Sequence, residues 1–320
     1  MTALTNIYLD ETSLDYIPST RGIDVQNFEI AMGRYLGVDQ CVAVNSGTSA
    51  LHLALLACGI GRGCKVLVPA TTFIATANAV SYTGAEVVLS DVDEITWCMN
   101  ISYPKKIKAS IPVMLYGGCD VKISCNYIHI VIIDSAESLG YASGGGDFFC
   151  YSFNGNKNMT TGGGGLVVGK NLDKIRQMIN PGHYDGIGYN YGMPALNARL
   201  GLQQLKLLDE HIKIKKSFNL IYRENLKHRL TFQEVTGTPW MTAVLFPAGT
   251  DITGLQHRLL DVGVPTRRVF EPLNHFKPYR DGKTYPVAED IWQRGLCLPS
   301  SVRNSEGEIY EVCQKIKGLL

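Results

Sequence analysis

Over its first two thirds the chain alternates short β-branched runs with helical patterns. This alternation constrains the fold more than any other feature, because short apolar strands separated by helices pair in parallel with the helices as crossovers. The periodicity predicts helices over 24–35, 48–56 and 73–82, and strands over 40–44, 65–68 and 86–89, the last running on to Asp91. Two more buried strands are expected over 111–115 and 128–133, and another over 163–168. From 193 to 227 the pattern turns long and helical, with Leu200, Leu202, Leu205, Leu207 and Leu208 forming an apolar stripe suited to core or subunit contact. It then reads strand over 242–246, helix over 252–262, strand over 265–269 and a last helix over 306–316. The expectation is an α/β chain with a mostly parallel sheet in a large domain over 1–210 and a small α+β domain over 211–320. Residues 143–146 read as a tight turn before a strand rather than as a linker.

The 320 residues are 45% hydrophobic and 18% charged, enough for one large core plus a smaller one. A net charge of +1 gives no electrostatic drive toward nucleic acid or a membrane surface. Apolar runs such as 128–133 are too short to span a bilayer. The nine cysteines form no CxxC pair and the histidines have no ligand spacing, so no metal site is expected. Free thiols and a polar Met1-Thr2-Ala3-Leu4 start point to a cytoplasmic protein.

The chemistry gathers in a few places. The run over 128–133 ends in Asp134, and Ser152-Phe153-Asn154-Gly155-Asn156-Lys157 is followed by glycines over 162–165. A strand-terminal carboxylate followed by a lysine against glycines suits pyridoxal 5′-phosphate (PLP). The lysine would hold the aldehyde, and the carboxylate would keep the pyridine nitrogen protonated so that the ring acts as an electron sink. Asn45-Ser46-Gly47-Thr48-Ser49 lies between a strand and a helix, where backbone N–H groups and hydroxyls seat a phosphate; taken alone, the same residues read sooner as a plain helix cap. Taken singly, Asp134 and Ser152 also read as caps, Phe73 as core and Lys157 as a surface lysine. Their order along the chain is what points to a fold-type I PLP enzyme.

Those residues, in that order, resemble the DegT/StrS family of PLP-dependent nucleotide-sugar aminotransferases. The resemblance rests on NSGTSALHLAL (45–55), PATTFIATANAV (69–80), DSAESLG (134–140), SFNGNKNMTTGGGG (152–165), GYNYGMPALNARLGLQQL (188–205) and LCLPS (296–300), and covers the chain from about residue 25 onward. It is similar to members acting on UDP- or GDP-4-keto-6-deoxy sugars, such as those of perosamine, bacillosamine and legionaminic-acid pathways. The resemblance implies that Lys157 carries the cofactor and moves the proton, and that Asp134 pairs with the pyridinium nitrogen. It further implies Glu137 near the ring hydroxyl, where many members carry Gln, and Phe73 stacked on the ring. Gly47, Thr48, Ser49 and Ser152 would hold the phosphate, and Asn190 would reach the phosphate of a neighbouring subunit in a homodimer. Read from the residues alone, Arg267 and Arg268 would face a substrate pyrophosphate or form a solvated pair, and His275, one place past the family's PLH position, would face the substrate. The implied reaction is amino transfer from an amino acid, with L-glutamate expected, to a keto-deoxysugar nucleotide at C4.

The chain departs from the family pattern at Gly192, where an Arg is usual, at Met114, where a His is usual, and at Pro272-Leu273-Asn274, which replaces PLH. Dehydratase relatives carry His in place of the lysine, so Lys157 favours amino transfer. Two other readings remain: a PLP-dependent sugar dehydratase or lyase, and a non-catalytic PLP-fold regulatory protein, the latter motivated by Gly192 and Met114.

Overall fold

A computed structural model of the chain describes residues 20, 22–99, 107–118, 130–140, 145–179 and 185–320. The larger sheet contains β1 (Val42–Val44), β2 (Lys65–Pro69), β3 (Glu86–Ser90), β4 (Ala109–Ser110), β5 (Ile130–Asp134), β6 (Phe148–Ser152) and β7 (Gly165–Gly169). Their order is β1-β7-β6-β5-β4-β2-β3. Strands β3, β2, β4, β5 and β6 pair in parallel, whereas β7 runs antiparallel to both β6 and β1. This is the mostly parallel α/β sheet that the alternation predicts. Parallel neighbours need crossovers; α3 (Ala75–Tyr82) provides one between β2 and β3, and α2 (Gly47–Ala57) carries the chain across the sheet from β1 to β2. Helix α2 is apolar nearly all round because the sheet lies on one side and α3 and α4 (Leu172–Met178) on the other.

Helix α1 (Ile23–Leu36) is tied to β1 and α4 by a buried clip. Glu29 Oε1 accepts from the Ala43 amide at 2.8 Å, and its Oε2 accepts from Arg176 Nη1 at 2.8 Å. Arg176 Nη2 in turn donates to the Cys41 carbonyl at 2.7 Å.

Two expectations need correction. The strand expected over 111–115 is not formed: β4 stops at Ser110, and Val113 makes only an isolated bridge to Asp134. Pro112 has no N–H for the ladder and instead gives its carbonyl to the Asp134 amide at 2.9 Å. The chain then turns through residues 115–117, with Tyr116 at φ 54°. The helix expected over 193–227 is two helices, α5 (Ala195–Leu205) and α6 (Leu208–Leu226), because the two halves serve different cores. Helix α5 lays Ala198 and Gly201 on α1, so tightly that a Cβ at Gly201 would lie 2.5 Å from the Phe28 ring. Helix α6 turns Phe218, Ile221, Tyr222 and Leu226 into the second core. Of the leucine stripe, Leu208 is buried and Leu202 and Leu205 pack against the α1 core.

The second sheet, β10-β11-β9-β8, is antiparallel throughout: β8 (Thr231–Phe232), β9 (Thr242–Leu245), β10 (Arg267–Arg268) and β11 (Gly295–Leu298). Helices α6, α7 (Ile252–Asp261) and α9 (Glu306–Leu319) cover it, while α8 (Pro286–Arg294) leads into β11. The start of the strand expected over 128–133, and residues 143 and 144 of the expected turn, lie outside the described residues. Among the described residues no helix is long and apolar enough to cross a membrane.

Candidate active site

A cavity of about 370 Å³ opens at the carboxyl edge of the large sheet, the edge at which open α/β sheets bind ligands. The turns leaving β1, β5 and β6 converge there, together with the glycines that precede antiparallel β7. The β1 turn supplies Gly47 and Thr48 to the wall. Ser46 is the cap of α2, its Oγ accepting from the Ser49 amide at 3.1 Å. The Ser49 hydroxyl is turned inward, donating to Asn45 Oδ1 at 2.7 Å, and Ser49 is not among the lining residues. Ser46 thus caps α2 while lining the cavity beside Gly47 and Thr48, and Ser49 faces the turn itself.

Gly47 and Ser152 meet closely: a Cβ on Gly47 would stand 2.9 Å from Ser152 Cβ. The glycines after Lys157 have a related packing cause, and Gly163 and Gly164 also line the cavity. A Cβ at Gly165 would lie 2.4 Å from the Ser46 carbonyl, and one at Gly164 would lie 2.3 Å from Thr161 Oγ1. Gly162 sits at φ 79°, where a side chain is strained. These glycines let the lysine loop close onto the β1 turn.

Asp134 ends β5 and is buried. Thr76 donates to its Oδ2 at 2.8 Å and the Ala136 amide to its Oδ1 at 3.1 Å. Burial pushes its carboxyl above the ordinary range, against these hydrogen bonds and the Lys157 charge. Glu137, one turn on, is also buried; its Oε1 accepts from Lys157 Nζ at 3.2 Å and its Oε2 from the Tyr116 amide at 2.8 Å. Burial again pushes the Glu137 carboxyl up, with Lys157 the chief opposing influence. The Lys157 ammonium also stands 3.9 Å over the Trp240 ring, a cation–π arrangement. Asp134, Glu137 and Lys157 all line the one cavity.

The opposite wall is aromatic. Phe73 is 53% exposed and faces the cavity rather than the core, with Phe270 tilted against it at 5.7 Å. Behind it, Tyr116 stacks on Phe270 at 5.4 Å and on Trp240 at 6.2 Å. Tyr116 Oη accepts from the Phe270 amide at 2.9 Å, and Trp240 Nε1 donates to the Asn156 carbonyl at 2.7 Å. The left-handed backbone at Tyr116 is held by these contacts and by Glu137.

Arg267 lines the cavity, with its guanidinium 5.6 Å from the Phe270 ring. His275 does not line it; it sits between Glu271 and Glu289, with ring nitrogens 3.1 and 2.7 Å from their carboxylates. Asn190 is exposed, and its carbonyl accepts from Asn45 Nδ2 at 3.2 Å, beside the β1 turn but off the cavity wall. Met114 is fully buried, its sulfur accepting from Ser135 Oγ, and Gly192 packs on Thr20 and bridges Val44. Sequence reasoning missed Thr76, Tyr116, Trp240 and Phe270. Of these, Trp240 carried a signal as one of only three tryptophans, whereas Thr76 is an ordinary helix residue until the fold brings it to Asp134.

PLP fits these groups. The cavity offers an amine at Lys157, an open aromatic face at Phe73 and a glycine–hydroxyl turn at Gly47, Thr48 and Ser152. It also holds a buried carboxylate at Asp134 that no ion pair reaches among the described residues, suited to a cationic ring nitrogen.

The DegT/DnrJ/EryC1/StrS aminotransferase family model matches residues 11–317. The chain is 35% identical over 333 residues to the GDP-perosamine synthase of Escherichia coli O157:H7, spanning 93% of this chain and 90% of that one. It is 28% identical over 326 residues to the UDP-2-acetamido-2-deoxy-3-oxo-D-glucuronate aminotransferase of Pseudomonas aeruginosa, spanning 91% and 89%. The PLP form of Spr1654 from Streptococcus pneumoniae shares the fold, with a TM-score of 0.87 at 22% identity over 96% of this chain and 94% of that one. This chain belongs to the DegT/DnrJ/EryC1/StrS aminotransferase family, whose cofactor is PLP.

Proposed function

We propose that the protein moves an amino group from L-glutamate to C4 of a keto-deoxysugar nucleotide, as a cytoplasmic homodimer with shared sites. The observation that carries this reading is Lys157 Nζ, 3.2 Å from Glu137 Oε1 and on the same cavity wall as Asp134. The similarity to a GDP-perosamine synthase supports a sugar-nucleotide acceptor. When bound, PLP supplies an aldehyde that holds amines and a ring that takes up the electron pair released at the adjacent carbon.

In this reading Lys157 Nζ anchors the resting cofactor and, once displaced by the donor amine, takes and returns the proton of the reacting carbon. Asp134, oriented by Thr76 and the Ala136 amide, holds the ring nitrogen in its cationic form. Glu137 orients Lys157, accepting a hydrogen bond from it at Oε1, and would meet the ring hydroxyl. Phe73 would cover the ring face, and Gly47, Thr48 and Ser152 would hold the phosphate, with Ser49 bracing that turn through its bonds to Ser46 and Asn45. Asn190 serves the neighbouring subunit's phosphate and Arg267 contacts the acceptor, whereas His275, held between Glu271 and Glu289 off the cavity wall, is given no substrate contact. Incubation with L-glutamate and GDP- or UDP-linked 4-keto-6-deoxy sugars, followed by NMR of the product, tests the reading. An amine at C4, absent with Lys157→Ala, is expected. Amination at C3, deoxygenation without a donor, or full turnover by Lys157→Ala would overturn it.

A further inference from the structure

The dipeptide Pro239-Trp240 is fastened to the lysine loop at three successive residues. Trp240 Nε1 donates to the Asn156 carbonyl at 2.7 Å, the Lys157 ammonium stands 3.9 Å over the indole, and Asn158 Nδ2 donates to the Pro239 carbonyl at 3.2 Å. Two further contacts hold the tryptophan. Lys215, buried on α6, donates from Nζ to the Trp240 carbonyl at 2.7 Å and to the Ser300 carbonyl at 2.8 Å. Tyr116 stacks on the indole with the ring planes 10° apart. Trp240 is 2% exposed, so its place and its plane are fixed by contacts other than the one with Lys157.

Lys157 therefore meets two groups, Glu137 Oε1 and a rigid aromatic face. The other Glu137 oxygen is committed to the Tyr116 amide, which leaves a single carboxylate oxygen for the lysine. A lysine has a long flexible stem, and one hydrogen bond leaves its amine free to swing about the acceptor. The indole removes that freedom. The Lys157 side chain is only 13% exposed, and a cation is drawn to an indole face more strongly where water is scarce. Being neutral, the indole does this without the strong pull of a second buried carboxylate. An aliphatic side chain at 240 would fill the space but offer neither the face nor the Nε1 donor.

We propose that Trp240 is a positioning residue for Lys157: its indole face, together with Glu137 Oε1, receives the lysine amine whenever that amine is not bonded to the cofactor, and holds it at the cavity wall for the proton transfer. This rests on the amino-transfer reading of Lys157 above and adds what holds the lysine between its two tasks. A displaced amine left to rotate spends little time in a productive orientation, so the effect of the indole falls on the chemical step rather than on binding of the donor.

The first test is NMR of the full chain carrying carbon-13 at the lysine ε-carbons, recorded without cofactor and loaded with pyridoxamine phosphate, two states in which the Lys157 amine is free. One ε-methylene signal displaced upfield by the indole ring is expected in both states, absent in Lys157→Arg, displaced less in Trp240→Phe and undisplaced in Trp240→Leu. Trp240→Phe keeps a smaller aromatic face, so it decides the matter should the leucine variant fail to fold. Stopped-flow absorbance of the PLP-loaded proteins with L-glutamate then separates positioning from binding. The rate at saturating glutamate should fall roughly tenfold in Trp240→Leu and recover largely in Trp240→Phe, while half-saturating glutamate moves by less than about twofold. No displaced signal in the wild type, or the same displacement in either Trp240 variant, would overturn the proposal. So would a loss that falls on half-saturating glutamate and spares the saturated rate. A loaded wild-type protein that glutamate leaves unaltered would refute the amino-transfer reading instead, and the NMR signals would still decide where the free lysine is held.

Discussion

Glu137 links the cofactor lysine to the strained turn at Tyr116, and its replacement tests both links. The attraction between Lys157 and Glu137 at 3.2 Å is about 5 kcal/mol at an effective dielectric of about 20. Burying the carboxylate costs several kcal/mol in the opposite direction, and burial wins, since the Glu137 carboxyl stands above its ordinary value of 4.5. A raised carboxyl stabilises the fold fully below its unfolded value, and that contribution is lost as pH rises through the folded value. Glu137→Gln keeps an oxygen for the Tyr116 amide but cannot ionise. Relative to wild type, the cofactor-free variant should therefore gain stability as pH rises from about 4.5 toward neutrality, by up to about 1.4 kcal/mol per pH unit, or roughly 2 °C in melting temperature. Glu137→Ala strands the buried Tyr116 amide and should lie a further 1–3 kcal/mol or so below the Gln variant across the range. Thermal melts of the three apo-proteins across this range decide the matter. A gap between Gln variant and wild type that is flat, or that shrinks as pH rises, would refute the claim that burial outweighs the ion pair.

Gly47→Ala forces a Cβ to within 2.9 Å of Ser152 Cβ, so PLP affinity should fall at least tenfold in an absorbance titration while the circular dichroism of the fold is retained. Glu29→Ala leaves the Ala43 amide and one Arg176 contact unmet; urea unfolding should show a loss of roughly 2–3 kcal/mol with little change in PLP binding.

The sequence disclosed most of the large sheet because its strands are short, apolar and β-branched, and the crossovers between them are helices with clear periodicity. It disclosed Asp134 and Lys157 because strand-end acids and glycine-flanked lysines are local patterns. The Ile111–Leu115 strand failed because hydrophobicity ignores the missing N–H of Pro112. The helix break at Lys206 and Leu207 failed because helix propensity does not register that Ala198 and Phe218 face different cores. Thr76 and Tyr116 could not be read, because each acquires its place only through long-range packing, Thr76 on Asp134 and Tyr116 on Glu137; the rarity of Trp240 marked it without telling that it lies over Lys157. The glycines of 162–165 serve two ends: Gly165 accommodates the protein's own β1 turn, while Gly163 and Gly164 line the cavity.

The central claim is that Lys157 carries the cofactor and that the site performs the first half of an amino transfer. The most direct measurement is the absorbance spectrum of the purified protein with PLP, taken before and after L-glutamate. The account predicts a visible band from the lysine-bound cofactor, absent in Lys157→Ala, that is lost on adding glutamate and restored by a keto-sugar nucleotide. A protein that never forms this band, or a band that neither glutamate nor any other amino acid alters, would contradict it.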